Sequence, residues 1–301
     1  MARVQQRIGL AVLVALLATG PARGLIFFST GDPAYNTRPP LGKLANCGWQ
    51  WVGTWGGFQG TVIGPHEFIA ARHTGGRIGD AFMLDGVKFT ASAFFDDTGD
   101  DLRIWMVHGT FRSWAPLYKG RDDAGKPLVV IGRGLGRGAP VLVKGDLKGW
   151  LWGGGAGPLR WGQNSVAAVV DGGPVWGSVL LALFMPSDNP NEADLASGDS
   201  GGPVFIRNGG RWELAGVAAA ADGPFSETGA DKGFEAAIFD GRGLFARDTA
   251  GHWRKIEGPK RVLTGFYATR VSTRVAWIES ILKEPYRPTN QVLLPRPGRP
   301  Q

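Results

Sequence analysis

The chain has 301 residues, 33 Lys plus Arg against 26 Asp plus Glu for a net charge of +7, 48 glycines and a single cysteine. An apolar share of 43% excludes an intrinsically disordered chain, and one cysteine excludes both an intrachain disulfide and a cysteine-rich zinc module. Glycine stands at about twice its usual share of ~7%, which implies many turns and favours an all-β protein.

In chain order, Arg3 and Arg7 precede an apolar run over residues 8–18. That run is shorter than the ~20 residues a spanning helix needs. A basic start, a short apolar middle and the small-x-small step Ala22-Arg23-Gly24 read as an export signal over residues 1–24. Its removal takes away Arg3, Arg7 and Arg23 and no acid, which lowers the charge from +7 to +4. No second long apolar segment follows, so the mature chain is expected to be free of the membrane. Export without a disulfide-forming pair fits a secreted or periplasmic bacterial protein.

From there, short apolar or alternating runs recur between Gly, Pro, Asp and Asn. Trp49 and Trp51 read as one face of a strand, with Trp55 following, and all three as core. Further strands are predicted at residues 68–71, 103–107, 128–131, 141–144, 179–184, 204–207 and 214–220, a spacing that suggests a sandwich or barrel. The Gly-rich stretches at 132–138 (GRGLGRG) and 153–157 (GGGAG) lack phosphate-cradle spacing and read as loops. Residues 222–260 read as loops plus an added hairpin. Their acids Asp222, Asp231 and Asp240 are expected to face solvent rather than to hold calcium. Val275, Ile278, Ile281 and Leu282 follow a helical period, with Ser272 as a possible N-cap and Pro285 as the stop. A Pro/Arg-rich tail closes the chain at 285–301.

The strongest chemical signal is Gly198-Asp199-Ser200-Gly201-Gly202-Pro203. A serine between glycines can sit on a tight turn where backbone N–H groups converge, the setting an oxyanion needs. Its hydroxyl is a weak nucleophile and requires a base, usually histidine, and an acid to orient that base. Of the four histidines, His73 lies just past a predicted strand. His66 reads as a solvated turn residue, His108 as a strand cap, and His252 as a loop residue. Asp101, adjacent to the strand over 103–107, is the preferred acid ahead of Asp100, with Asp96 and Asp97 ranked lower.

These residues resemble a known family. GDSGGP around Ser200, Ala70-Ala71-Arg72-His73 and Asp101-Leu102, in the order His, Asp, Ser, are similar to the motifs of chymotrypsin-like (trypsin-type) serine proteases. Arg72 departs from the usual alanine. Leu214-Ala215-Gly216-Val217-Ala218 resembles the family's cleft strand, and Thr269-Arg270-Val271 through Val275-Ala276-Trp277-Ile278 its C-terminal helix. The resemblance covers roughly residues 48–283.

It implies two perpendicular six-stranded antiparallel β-barrels, residues 25–120 carrying His73 and Asp101 and residues 121–271 carrying Ser200, followed by a helix at 272–284. It implies a serine endopeptidase acting on protein or peptide substrates as a monomer without a cofactor or metal, with Gly198 and Ser200 N–H groups as the oxyanion hole. The specificity residue six positions before the serine is Asp194, which would favour Lys or Arg at the cleaved bond or else merely cap backbone N–H groups. Ala219-Ala220-Ala221 stands where Ser-Trp-Gly is common, and Phe266 where a small residue usually lines the pocket wall. The family's Ile-Val-Gly-Gly start is absent, so Asp199 is expected to pair with an internal arginine or with a new amine at Leu25. A non-catalytic relative and a nucleic-acid binder are the rival readings. The dispersal of the basic residues disfavours the second.

Overall fold

The computed structural model describes residues 24–155 and 157–286. The expected export signal up to residue 23 and the tail from residue 287 lie outside the described residues. The strands in order are β1 (Ile26–Phe27), β2 (Val52–Trp55), β3 (Phe58–Val62), β4 (Glu67–Ala71), β5 (Ala81–Leu84), β6 (Val87–Asp96), β7 (Leu102–His108), β8 (Pro127–Gly132), β9 (Arg137–Val143), β10 (Asp146–Trp152) and β11 (Arg160–Asp171). A one-turn helix α1 (Gly173–Trp176) leads to β12 (Ser178–Leu183), β13 (Ala193–Asp194), β14 (Pro203–Asn208), β15 (Arg211–Ala221), β16 (Phe225–Ser226), β17 (Ala236–Ile238), β18 (Phe245–Arg247), β19 (Trp253–Lys255), β20 (Gly265–Arg270) and the C-terminal helix α2 (Val275–Leu282).

Two closed antiparallel barrels result, β2-β3-β4-β7-β6-β5 and β11-β12-β20-β15-β14-β8. The pair fits a chymotrypsin-like fold. Side chains alternate across each strand, and closure sends one set inward. In the first barrel the inward set draws on all six strands, among them Trp55, Val62, Phe68, Phe82, Ala91 and Trp105. In the second it includes Val130, Val166, Leu180, Val204, Ala215 and Phe266. The opposite faces of β4 and β7 are also buried, because Ile69, Ala71, Leu102 and Ile104 pack against Val129, Ile131, Phe205 and Val217 of the second barrel and Ile278 of α2. Both faces of β4 are therefore apolar, as its unbroken Phe-Ile-Ala-Ala run requires.

Three local expectations are corrected. Trp49 to Trp51 form a 3-10 turn rather than a strand, closed by the Trp51 N–H on the Gly48 carbonyl at 3.0 Å; both indoles still pack on the core. Helix α2 is preceded at its cap by Arg274, while Ser272 lies in a separate 3-10 turn. The segment 222–260 contributes β17 to a three-stranded sheet with β10 and β9, and a second small sheet β16-β18-β19. Within it Asp240 is buried against Lys148 and Arg242, and Asp222 is half-buried, so only Asp231 faces solvent. Among the described residues no helix is long and apolar enough to cross a membrane.

Candidate active site

The register of β4 against β7 sets Ala71 opposite Leu102. Just past that pair, on the two strand ends, stand His73 and Asp101. The Arg72 N–H donates to the Asp101 carbonyl at 3.2 Å, and the His73 N–H donates to Asp101 Oδ1 at 2.9 Å. The second carboxylate oxygen, Oδ2, accepts from His73 Nδ1 at 2.6 Å. Asp101 is buried, whereas the His73 side chain keeps 24% of its surface open. Arg72 has a task of its own: its guanidinium donates to the Asp97 carbonyl at 2.7 Å and holds the loop that delivers Asp101. Asp100 turns the other way and pairs with Arg274 at 2.5 and 2.8 Å, while Asp96 pairs with Arg103.

Ser200 reaches the same point from the second barrel, its Oγ donating to His73 Nε2 at 2.9 Å. The turn that carries it is tied to both barrels. The Gly201 N–H donates to the Ala218 carbonyl at 2.9 Å, and the Gln59 N–H of β3 donates to the Ser200 carbonyl at 3.4 Å. Gly201 sits at φ +78°, and a Cβ there would lie 2.2 Å from the Gln59 carbonyl oxygen, so the barrels meet at a distance only glycine allows.

Two peptide planes next to Ser200 are oriented by their carbonyls. The Ser197 carbonyl accepts from the Leu135 N–H at 2.8 Å, and the Asp199 carbonyl from the Gly202 N–H at 3.1 Å. Because each peptide unit is planar and trans, the Gly198 and Ser200 N–H groups point the opposite way. Among the described residues neither donates a hydrogen bond. Gln59 Nε2 holds the Gly198 carbonyl from a third side, at 3.0 Å. The Trp176 ring packs edge-on to His73, centroids 5.6 Å apart, and closes one flank of the imidazole.

The chain matches no model of a known protein family and no curated protein.

The acid preceding the serine is held by backbone N–H groups. Asp199 is buried, and its carboxylate accepts from the Gly134 N–H at 2.7 Å and the Ala196 N–H at 2.9 Å. Burial lifts its pKa to about 7, against the pull of those N–H groups and of the Arg160 charge. Arg160 itself donates to the carbonyls of Gly24, Asp32 and Tyr35 and so anchors the N-terminal segment. Leu25 is fully buried. A Cβ built on Gly132 would lie 2.2 Å from Asp199 Oδ1 and 2.9 Å from Leu25 Cδ2, which sets Leu25 beside that carboxylate.

The expected specificity residues separate. Asp194 pairs in register with Ile26, is buried, and accepts the Leu195 N–H at 2.8 Å. Burial raises its pKa well above the carboxylate range, reinforced by Asp222, Glu192 and Asp199. Ala219 lies in a cluster with Trp176, Val179 and Tyr267, and Ala220 packs against it, whereas Ala221 packs toward the second barrel's interior cluster. Phe266 is corrected outright. It points into that barrel interior, 1% exposed, and it is Tyr267 that joins Trp176 and Ala219 on the outer face. The Tyr267 hydroxyl donates to Asp222 Oδ1 at 2.9 Å. Burial lifts Asp222 to about 6, against the effect of Tyr267.

Four contributors escaped the sequence reading: Gln59, Gly134, Leu135 and Trp176. The only sequence sign of any of them is the cluster of glycines directly after β8, which read as a plain loop.

Proposed function

We propose that the chain is an exported serine endopeptidase of the chymotrypsin-like kind, acting outside the cytoplasm on protein or peptide substrates. The observation that carries this reading is the hydrogen-bonded row Asp101, His73, Ser200, with spacings of 2.6 and 2.9 Å, next to the Gly198 and Ser200 N–H groups, which among the described residues donate to nothing. His73 takes the proton from Ser200 Oγ as the oxygen attacks the substrate carbonyl carbon. The oxyanion that forms is held by the Gly198 and Ser200 N–H groups. His73 then returns the proton to the departing amine, leaving an acyl group on Ser200. Water repeats the sequence and releases the acid. Asp101 keeps Nδ1 protonated, so that Nε2 faces Ser200 as a base, and stabilises the imidazolium while it exists.

The reading extends to a preference for Lys or Arg at the cleaved bond. Among the described residues Asp194 and Asp222 are neighbouring acids with no ion-pair partner, and a cationic side chain beside them would favour their charged forms. It extends as well to a mature start at Leu25, where the new amine would stand beside Asp199.

A fluorophosphonate probe tests the core of the reading. A covalent adduct on Ser200, absent in Ser200→Ala and lost on His73→Ala, is the expected result. Absence of the adduct from the folded full chain rejects the hydrolase. Comparing Arg and Phe ester substrates tests the basic preference, and faster turnover of Phe rejects the role of Asp194.

A further inference from the structure

A groove of about 820 Å³ opens at the far end of the β14–β15 hairpin, where the second barrel meets the segment before β2. Its walls are Trp51, Trp114 and Trp212, and Lys43, Arg207 and Arg211 stand around it; no acidic side chain lines it. β14 begins at Pro203, three residues past Ser200, and ends beside the groove. At ~3.3 Å per residue this places the groove roughly 15–20 Å from the serine. It is separate from the candidate active site and shares no residue with it.

Two features mark it as a binding surface. Trp114 is 44% exposed and, among the described residues, makes no hydrogen bond, whereas Trp212 is buried and the Trp51 indole N–H is fixed on Ser113 Oγ at 3.0 Å. Rigid aromatic walls with one open indole suit an apolar or aromatic side chain laid across them. The charge is one-sided. Among the described residues Lys43 and Arg207 make no ion pair, and Arg211 only reaches Glu213 at 3.8 Å while remaining exposed. Two unpaired cations and a third that is only loosely paired raise the local potential and favour an anionic partner.

We propose that this groove is a second binding site for an acidic polypeptide segment carrying an aromatic or large apolar residue, used to hold a protein substrate at a point remote from the cleaved bond. The role as a substrate site rests on the endopeptidase reading; the binding itself does not. A peptide is favoured over a nucleic acid because the groove is a bounded hollow with three cations, whereas single-strand binding uses an extended basic track with successive stacking platforms.

The test uses the full chain with Ser200→Ala, so that nothing is cut, and a fluorescein-labelled octapeptide of Asp and Glu with one central Phe. Saturable binding that weakens as salt rises is expected. Combined Lys43→Glu, Arg207→Glu and Arg211→Glu should weaken it at least about tenfold, and Trp114→Ala several-fold, with the thermal midpoint unchanged. The same octapeptide with Lys in place of the acids should not bind. With Ser200 intact, the triple variant should react with the fluorophosphonate at the parent rate. No saturable binding, binding undiminished in the triple variant, or tighter binding of an oligothymidylate overturns the proposal. Should the peptide bind while Ser200 fails to react, the groove stands and the hydrolase reading falls.

Discussion

The Gly134 N–H donates to Oδ1 of Asp199 at 2.7 Å, and there is no room between them for any side chain. A Cβ on Gly134 would lie 2.4 Å from the Ser197 carbonyl oxygen and 2.6 Å from the Asp199 nitrogen. The loop after β8 is thus packed backbone to backbone against the turn that presents Ser200. The next residue, Leu135, sets the peptide plane whose N–H faces the site.

Gly134→Ala should therefore damage the site more than the fold. Loss of one oxyanion donor costs about 10²–10³ in rate, and a displaced Ser197–Gly198 peptide removes one. Fluorophosphonate labelling of Ser200 is expected to slow by at least about a hundredfold while the purified variant keeps its far-ultraviolet dichroism. Unchanged labelling would show that the turn can shift without consequence.

Asp101→Asn should leave the row of residues in place and still abolish most activity. An amide can present its NH₂ to Nδ1, which forces the proton onto Nε2 and removes the base facing Ser200. A fall of roughly 10³–10⁴ in kcat is expected, read from steady-state ester hydrolysis. Asp100→Asn, on the neighbouring acid that pairs with Arg274, should lower kcat by less than about threefold.

Stability should decline as pH rises from 5 to 8. Burial lifts Glu192 to about 8, Asp199 to about 7 and Asp222 to about 6, from ordinary values near 4. Between those limits the folded chain binds protons that the unfolded chain has released. The contribution is therefore complete below about pH 4 and is lost as pH passes through 6 to 8. Discounted for relaxation, a loss of at least ~2 kcal/mol is expected, or about 4–8 °C in the thermal midpoint. A midpoint that rises over this range would show these carboxyls to be ionised and paired.

The N-terminus offers a separate experiment. Leu25 has φ +52°, a conformation that costs a non-glycine residue roughly 1–2 kcal/mol. Once the chain begins at Leu25 that torsion no longer exists, and the proposed pairing of the freed amine with Asp199 becomes possible. A chain starting at Leu25 is expected to react with the fluorophosphonate at least about tenfold faster than one extended by Gly-Ser. Equal rates would separate Asp199 from the N-terminus.

Much of the architecture was legible in the residues. Strands over 128–131, 179–184 and 204–207 were expected from short apolar runs between turn residues, and each lies within one residue of its observed limits at β8, β12 and β14. The signature around Ser200, and His73 and Asp101 at strand ends, pointed to one constellation, and the fold brings those three together. Such signals are local. They depend on short apolar runs and on turn chemistry within a few residues.

What remained closed to the sequence depends on closure of the barrels. Gln59 and Gly198 are 139 residues apart, and Gly134 and Asp199 are 65 apart, and no local pattern announces either hydrogen bond. Phe266 and Tyr267 make the same point within one strand. Their residue types were plain, but which faces inward depends on the phase of β20 in the closed sheet, and a shift of one residue exchanges the two faces. The sequence by itself determined which residue types stand at strand ends and turns. The tertiary structure alone decided which of them meet, because barrel closure is what turns distance along the chain into contact.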